Sequence, residues 1–287
     1  MSCNKNQLNQ ILMLDKITAI YCLVDDLLKG VNHLEDSRRK VSDAEIITTA
    51  IVSAKYFGGH YFHAIHYMKE MRLIPRMLDK SRFCRRVHKI GILIYGLFMQ
   101  VGFILKEVCC TMEYVIDSFP VSVCDNMRIS RCKLIRGKQW RGYIASMHRY
   151  FFGVKVQLLV TKTGVPVEFC FVPGSEGDPR ALEKMPFSIL PESEVYGDNG
   201  FTSYEMEDLL LEQELIQLKI QRRTNTVNRK DSVCAAYIKE MMRKQIETTI
   251  STIKALFPRR IHAVTFEGFL LKVMLFIFAI QINKFTN

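Results

Sequence analysis

Two aspartates and one long helix carry the residue types that could do chemistry on phosphate. Asp117 ends the strand-like run YVIDSFP, and Asp198 follows a short strand and precedes a glycine turn in EVYGDNGF. Taken alone, each reads as a turn or cap residue, because aspartate commonly bonds to backbone amides just beyond it. Taken together, two carboxylates at strand ends can project over one sheet edge and share a site. The third candidate lies on the helix, where Arg243, Glu247 and Lys254 stand at i, i+4 and i+11 and share one broad face. The same spacing also describes a plain surface Arg-Glu pair, worth roughly 0.3 kcal/mol. Three carboxylates offer hard oxygen ligands of the kind Mg²⁺ prefers, with water and phosphate completing its shell. Two such ions about 4 Å apart activate a nucleophile and stabilise the leaving oxygen in an in-line phosphodiester displacement.

The elements that must position these groups can be read from periodicity. Apolar residues recur at helical spacing through the first 110 residues, with helices expected at 8 to 29, 42 to 56, 60 to 71, 81 to 89 and 90 to 106. Ser42 and Glu45 form a capping box for the second of these, and Ser81 is a candidate N-cap for the fourth. From Tyr114 the texture turns to β-branched and aromatic runs divided by Gly and Pro. Strands are expected at 114 to 118, 152 to 161, 165 to 173, 194 to 197 and 215 to 221, with helical patterns at 179 to 185 and 203 to 213. A long helix from about Ser232 to Phe257 ends at Pro258, and an apolar helix at 266 to 283 follows. On the long helix, Ile246, Ile250, Ile253 and Phe257 form the stripe expected to pack on the sheet. The fold class is therefore α/β, a mixed sheet covered by helices and preceded by an all-helical region. The division expected is a helical N-terminal region over 1–110 and a mixed-sheet domain over 111–287.

Composition narrows the partner. The chain of 287 residues is 48% hydrophobic, enough apolar surface for a real core, so disorder is excluded as the default. Lys and Arg number 40 against 29 Asp and Glu, a net charge of +11 that favours a polyanion such as nucleic acid or an anionic membrane surface. The excess is unevenly spread. Residues 126 to 162 hold nine Lys or Arg and no acid, residues 163 to 218 hold two basic and twelve acidic residues, and residues 219 to 260 hold eleven basic and three acidic. Metal-binding carboxylates thus lie among separate segments able to hold the DNA that they repel. Nine cysteines without a CxxC pair read as reduced thiols of a cytosolic protein, and the start MSCNKNQLNQ lacks a secretory pattern. The apolar runs Ile90 to Leu105 and Phe269 to Ile282, at 16 and 14 residues, fall short of a membrane span and read as buried helices.

In its ordered motifs the chain resembles a DDE transposase of a small bacterial insertion sequence, a family with a ribonuclease H-like catalytic core. Asp117 in IDSFPV matches the family's first-strand aspartate, Asp198 in GDNGF the second, and Glu247 the glutamate on the following helix. The family's helix signature runs Tyr, two residues, Arg, three residues, Glu, six residues, Lys; Arg243, Glu247 and Lys254 fit it, while the tyrosine place is Glu240 with Tyr237 one turn earlier. Only 48 residues separate Asp198 from Glu247, which leaves no room for the β-domain that larger relatives insert there. The middle segment RGKQWRGYIASMHRYFFGVKVQLLVT and the motif GSEGDPRAL resemble this branch as well, with Asp178 a further acid near the site.

The resemblance implies that the helical region over 1–110 binds DNA and that the domain over 111–287 is catalytic. It implies two Mg²⁺ ions held by Asp117, Asp198 and Glu247, Mn²⁺ substituting, with Arg243 and Lys254 contacting phosphate or positioning the glutamate. It implies double-stranded DNA as partner, both terminal inverted repeats and target, a homo-oligomer bringing two ends together, and a cytoplasmic, nucleoid-associated protein without a membrane. DNA contacts are expected from Arg82, Arg85, Arg86 and Lys89 on one helical face, and from Arg136, Lys138, Arg141, Lys155, Arg222 and Arg223 in the basic blocks. The first group is equally an ordinary solvated face. Trp140 and Tyr143 either stack on an exposed base or pack under the loop. His60, His63 and His66 are spread over about 240° of helix and are expected to be structural or surface residues. Three other readings remain: a ribonuclease H-like nuclease without strand transfer, a DNA-binding protein with an idle site, and a membrane-associated basic protein.

Overall fold

The computed structural model describes residues 2–109, 112–223 and 225–286. The chain forms two compact units. One comprises Met1–Val101, Ala255–Ala263 and Glu267–Asn287, and the other Gly102–Lys254 with Val264–Phe266. The boundary expected at 110/111 lies outside the described residues. The apolar C-terminal helix, expected with the catalytic region, belongs instead to the helical unit. A helix that is apolar nearly all round announces burial but not its partner.

In the helical unit, α1 (Ser2–Gly30), α2 (Asp43–Tyr56), α3 (Tyr61–Glu70), α4 (Lys80–Lys89) and the first part of α5 (Gly91–Cys109) join α9 (Phe266–Thr286). The capping box is formed: the Glu45 N–H donates to Ser42 Oγ at 3.1 Å and the Ser42 N–H to Glu45 Oε2 at 2.7 Å. For α4 the cap is Asp79 rather than Ser81, with Asp79 Oδ1 accepting from the Arg82 N–H at 2.9 Å. Asp43 is buried at the start of α2 and holds α4 to it. Its carboxylate takes Arg86 and Arg39, each at 2.7 Å, and His33 at 2.9 Å. Burial opposes the ionised form of Asp43, yet the hydrogen bonds from His33 and Arg86 win and hold its pKa below the ordinary value. The sequence reading placed Arg86 on a DNA-facing surface; it points inward to this hub.

Both apolar helices run longer than the runs read from sequence. Gly91–Val108 and Phe266–Thr286 are each long and apolar enough to cross a membrane, so length no longer argues against a span. Packing does for α9, where Phe269, Val273, Phe276, Ile277 and Phe278 are fully buried and Phe98 of α5 meets Phe278 edge-on at 5.9 Å.

In the second unit, β1 (Glu113–Cys124), β2 (Arg141–Ile144), β3 (Arg149–Thr161), β4 (Pro166–Pro173), β5 (Glu194–Gly197) and β6 (Gln217–Ile220) form one mixed sheet. β1 lies antiparallel to β3 along one edge of β3, while β2 and then β4 share its other edge. β5 pairs parallel to β1, and β6 parallel to β5. Helices α6 (Asp178–Leu182), α7 (Tyr204–Glu214) and α8 (Val233–Leu256) complete the unit. Four antiparallel strands, the short β2 among them, extended by two parallel ones, with flanking helices, are compatible with the ribonuclease H-like fold that the resemblance implies. Strand β2 was not expected: RGYI is four residues long with a glycine inside, too short for a period to show.

Candidate active site

The last residues that pair β1 with β5 are Ile116 and Gly197, so Asp198 leaves β5 beside Asp117, which lies inside β1 opposite Leu158 of β3 rather than at the strand end expected from sequence. Gly197 permits that closeness, since a Cβ there would stand 2.7 Å from Ile220 Cδ1 and 3.1 Å from Ile116 Cγ2. Each aspartate anchors one oxygen locally. Asp117 Oδ1 accepts from the Ser118 N–H and Asp198 Oδ1 from the Asn199 N–H, both at 2.7 Å. Among the described residues no donor reaches the Oδ2 of either. Two fixed carboxylates with a free oxygen apiece are a donor set that suits a hard divalent cation.

Helix α8 brings the third carboxylate. Met242, Ile246, Thr249, Ile250 and Ile253 are its buried residues. Phe257, read from sequence as the end of that stripe, lies past the helix and packs on Phe276 at 4.9 Å. Arg243 Nη1 stands 3.1 Å from Asp198 Oδ1 and donates to Gln221 Oε1 at 3.0 Å, and its Nη2 stands 3.4 Å from Glu247 Oε1. One guanidinium thus lies between the second aspartate and the glutamate, and Gln221 at the end of β6 steadies it. Lys254 Nζ sits 5.5 Å above the Phe119 ring, and burial lowers its pKa against the pull of Asp117.

Burial also pushes the Asp117 carboxyl up to about 6; Asp198 and Asp178 add to the rise, while the Ser118 N–H and Arg243 oppose it. Asp117, Asp198 and Glu247 do not converge tightly enough for all their ligand atoms to lie within 4.8 Å, a spacing reached by His33, Glu35 and Asp43 in the helical unit. That second group is already satisfied by Arg39 and Arg86 and reads as a structural hub.

Alternate residues of a strand face opposite sides, so Phe119 under α8 and Ser118 address different faces of β1. Ser118 Oγ donates to Asp178 Oδ1 at 2.9 Å, and Lys155 Nζ donates to the same oxygen at 3.0 Å and to the Glu176 carbonyl at 2.7 Å. Asp178 Oδ2 lies 3.4 Å from where a Cβ of Gly200 would stand, two residues beyond Asp198. Asp178 therefore touches the neighbours of both aspartates. Sequence reading did not single out Ser118 or Gln221, and only their adjacency to Asp117 and Arg222 marks them.

The turn between β3 and β4 fixes α8. Thr249 Oγ1 donates to the Gly164 carbonyl at 2.8 Å, and Gly164 has φ +79° with a would-be Cβ only 2.6 Å from Gln245 Nε2 and 2.8 Å from Thr249 Oγ1. Gly164→Ala is expected to cost about 2 kcal/mol in denaturant unfolding, because it adds both strain at positive φ and a clash with the helix. Unchanged stability would show that α8 is free to shift.

The expected DNA contacts divide. Arg82, Arg85 and Lys89 are exposed on α4, and Arg136, Lys138, Arg141 and Arg223 are exposed in the second unit. Lys155 is committed to Asp178, and Arg222, only 5% exposed, to Glu207, so both differ from the open contacts expected. Trp140 packs edge-on against Phe266 at 5.1 Å, while Tyr143 is exposed beside Tyr150. His60 and His63 rings lie 5.5 Å apart and His66 turns to Glu70, in keeping with structural or surface roles.

Comparison with known proteins completes this picture. No curated protein and no solved structure matches the chain. A family model described as a transposase DDE domain matches residues 107–261, more than half of the chain and the stretch that carries Asp117, Asp198, Arg243, Glu247 and Lys254. With two aspartates side by side on parallel strands and a glutamate-bearing helix tied to one of them, this chain belongs to the transposase DDE domain family.

Proposed function

We propose that the protein is the transposase of a small bacterial insertion sequence, of the branch marked by the Tyr-Arg-Glu-Lys helix signature, and that it cuts and joins DNA with Mg²⁺. The observation that carries this reading is the placement of Asp117 on β1 beside Asp198 at the end of the parallel neighbour β5, with Arg243 linking Asp198 to Glu247. Asp117, Asp198 and Glu247 would hold two Mg²⁺ ions, or Mn²⁺ in their place, which when bound supply nucleophile activation and leaving-oxygen stabilisation. Arg243 keeps Asp198 and Glu247 on one side of the site, and Lys254 offers a cation to a phosphate. Water first attacks a phosphodiester at the element end, breaking the P–O3′ bond and leaving a 3′-hydroxyl. That hydroxyl then attacks a target phosphodiester and displaces another 3′-oxygen, so one P–O bond forms for each broken. No covalent protein intermediate is required.

Exposed Arg82, Arg85 and Lys89 on α4 suit end recognition by the helical region, and Arg136, Lys138, Arg141 and Arg223 suit phosphate contacts nearer the chemistry. Two ends must meet, which calls for a homo-oligomer on DNA in the cytoplasm, at the nucleoid. The test is a strand-transfer assay with a labelled duplex bearing the terminal inverted repeat of the element, an unlabelled plasmid and Mg²⁺. Label joined to plasmid is the expected result. Cleavage without joining would instead make the protein a nuclease, and neither product would leave it a DNA-binding protein with an idle site.

A further inference from the structure

The segment from the end of β1 to the first residue of β3 holds charge that the three carboxylates, Arg243 and Lys254 leave unengaged. Arg128, Arg131, Lys133, Arg136, Lys138, Arg141 and Arg149 form no ion pair with an acid among the described residues, whereas Lys155, Arg222 and Lys239 each have one. Seven unneutralised cations in so short a stretch repel one another and keep counterions that a polyanion would release.

This segment also borders two open cavities. A cavity of about 230 Å³ is lined by Arg136, Lys138 and Arg141 with Ile129 and Phe152. Beside it, sharing Ile129 and Arg141, lies a second cavity of about 560 Å³ lined by Asn126, Ser130, Tyr150 and Phe151. Their walls are braced. Asn126 Nδ2 donates to the Tyr150 carbonyl at 2.8 Å, the Ser175 N–H and hydroxyl donate to the Gln139 carbonyl at 3.0 and 2.8 Å, and Trp140 rests on Phe266. Tyr150 also lines the second cavity, and Tyr143 faces that ring across the β2–β3 ladder with ring centroids 4.9 Å apart; Tyr143 and Tyr150 remain 51% and 67% exposed.

A cationic cavity that shares Ile129 and Arg141 with an aromatic one has the polarity of a nucleotide. We propose that the two cavities bind one unpaired nucleotide of the DNA end, its phosphate among Arg136, Lys138 and Arg141 and its base against Tyr150, with Tyr143 backing that ring. Paired DNA fits poorly here. A duplex keeps its base faces inside the stack, so the Tyr150 ring can meet a base face only after the base leaves its partner. Ser130 and the polar end of Asn126 line the same space and offer hydrogen bonds to a base edge. The proposal rests on DNA being the substrate and adds that the protein engages a locally opened end.

The test compares binding of the full-length protein, without divalent cation, to a blunt duplex and to a duplex of the same paired sequence ending in unpaired thymidine arms. Wild type is expected to prefer the fork about tenfold or more, Tyr150→Ala to bring that ratio near one, and Tyr150→Phe, which keeps the ring, to preserve it. Arg141→Ala should weaken fork binding and flatten its salt dependence. Equal affinity for the two DNAs in wild type, or a preference that survives Tyr150→Ala, overturns the nucleotide site while leaving the transposase reading standing. Failure to bind either DNA overturns both. Both tyrosines are exposed, so loss of the ratio through misfolding is separated by the circular dichroism of each variant and by its blunt-duplex affinity.

Discussion

Asp117→Asn, Asp198→Asn and Glu247→Gln are each expected to lower Mg²⁺-dependent cleavage and joining by about 10³-fold or more, a barrier increase of about 4 kcal/mol. Each substitution keeps shape and removes one negative oxygen from a donor set of three, and hard divalent ions depend on that charge. The aspartates each keep their local amide partner in the variant, because the oxygen accepting from Ser118 or Asn199 is retained in asparagine. DNA binding at low salt is expected to hold or strengthen, since a repulsive carboxylate is lost next to phosphate. Activity of all three variants equal to wild type would sink the assignment of the site. A loss confined to the two aspartates would detach Glu247 from it, a real distinction because Glu247 is 58% exposed at its side chain and reaches the site through Arg243.

The same contrast separates what the sequence disclosed from what it hid. Strands β1, β3 and β4 announce themselves by β-branched and aromatic runs, and the Ser42–Glu45 capping box is local chemistry, readable within four residues. Asp198 was legible as a strand-end residue because a strand boundary is also local, whereas Asp117 lies inside β1, which runs on to Cys124 past the Pro120 that reads as a break in sequence. The register of the two strands was not legible: that Ile116 faces Gly197 is a pairing across 81 positions, and no periodicity reports it. Arg243 illustrates the limit well. Its helical spacing to Glu247 was plain, but its contact with Asp198 depends on where α8 crosses the sheet, which the glycine turn at 164 sets.

Charge was legible in amount and not in direction. Arg86, Lys155 and Arg222 counted as open cations, yet Asp43, Asp178 and Glu207 draw them inward from distant parts of the chain. Once those are subtracted, the unpaired cations between β1 and β3 stand out more sharply than the total of +11 suggests. A sum over sequence cannot make that subtraction, because burial and pairing are properties of the fold.

Asp117→Asn is also expected to make the metal-free protein more stable, by up to roughly 3 kcal/mol, or roughly 6–10 °C in the unfolding of the sheet-bearing unit at pH 7.5. The reason is the carboxyl raised from 3.8 to about 6 by burial and by its acidic neighbours. In the unfolded chain the group ionises near 3.8, so between there and about 6 the folded state retains a proton that the unfolded state has released. Stability from this group therefore falls as pH rises through that window, and the full cost of holding the charge is present above about 6. Asparagine carries no such charge, so the advantage of the variant should be complete at pH 7.5 and vanish below about pH 4. Mg²⁺ acts in the opposite sense: it favours the ionised carboxylates, so adding it should raise the unfolding temperature of wild type and leave Asp117→Asn nearly unmoved. Differential scanning fluorimetry across pH, with and without Mg²⁺, reads all of this. A variant no more stable than wild type at pH 7.5 would mean that Asp117 is not held ionised against its surroundings. The site would then lack the stored electrostatic cost that makes three carboxylates a receptor for cations rather than an accident of packing.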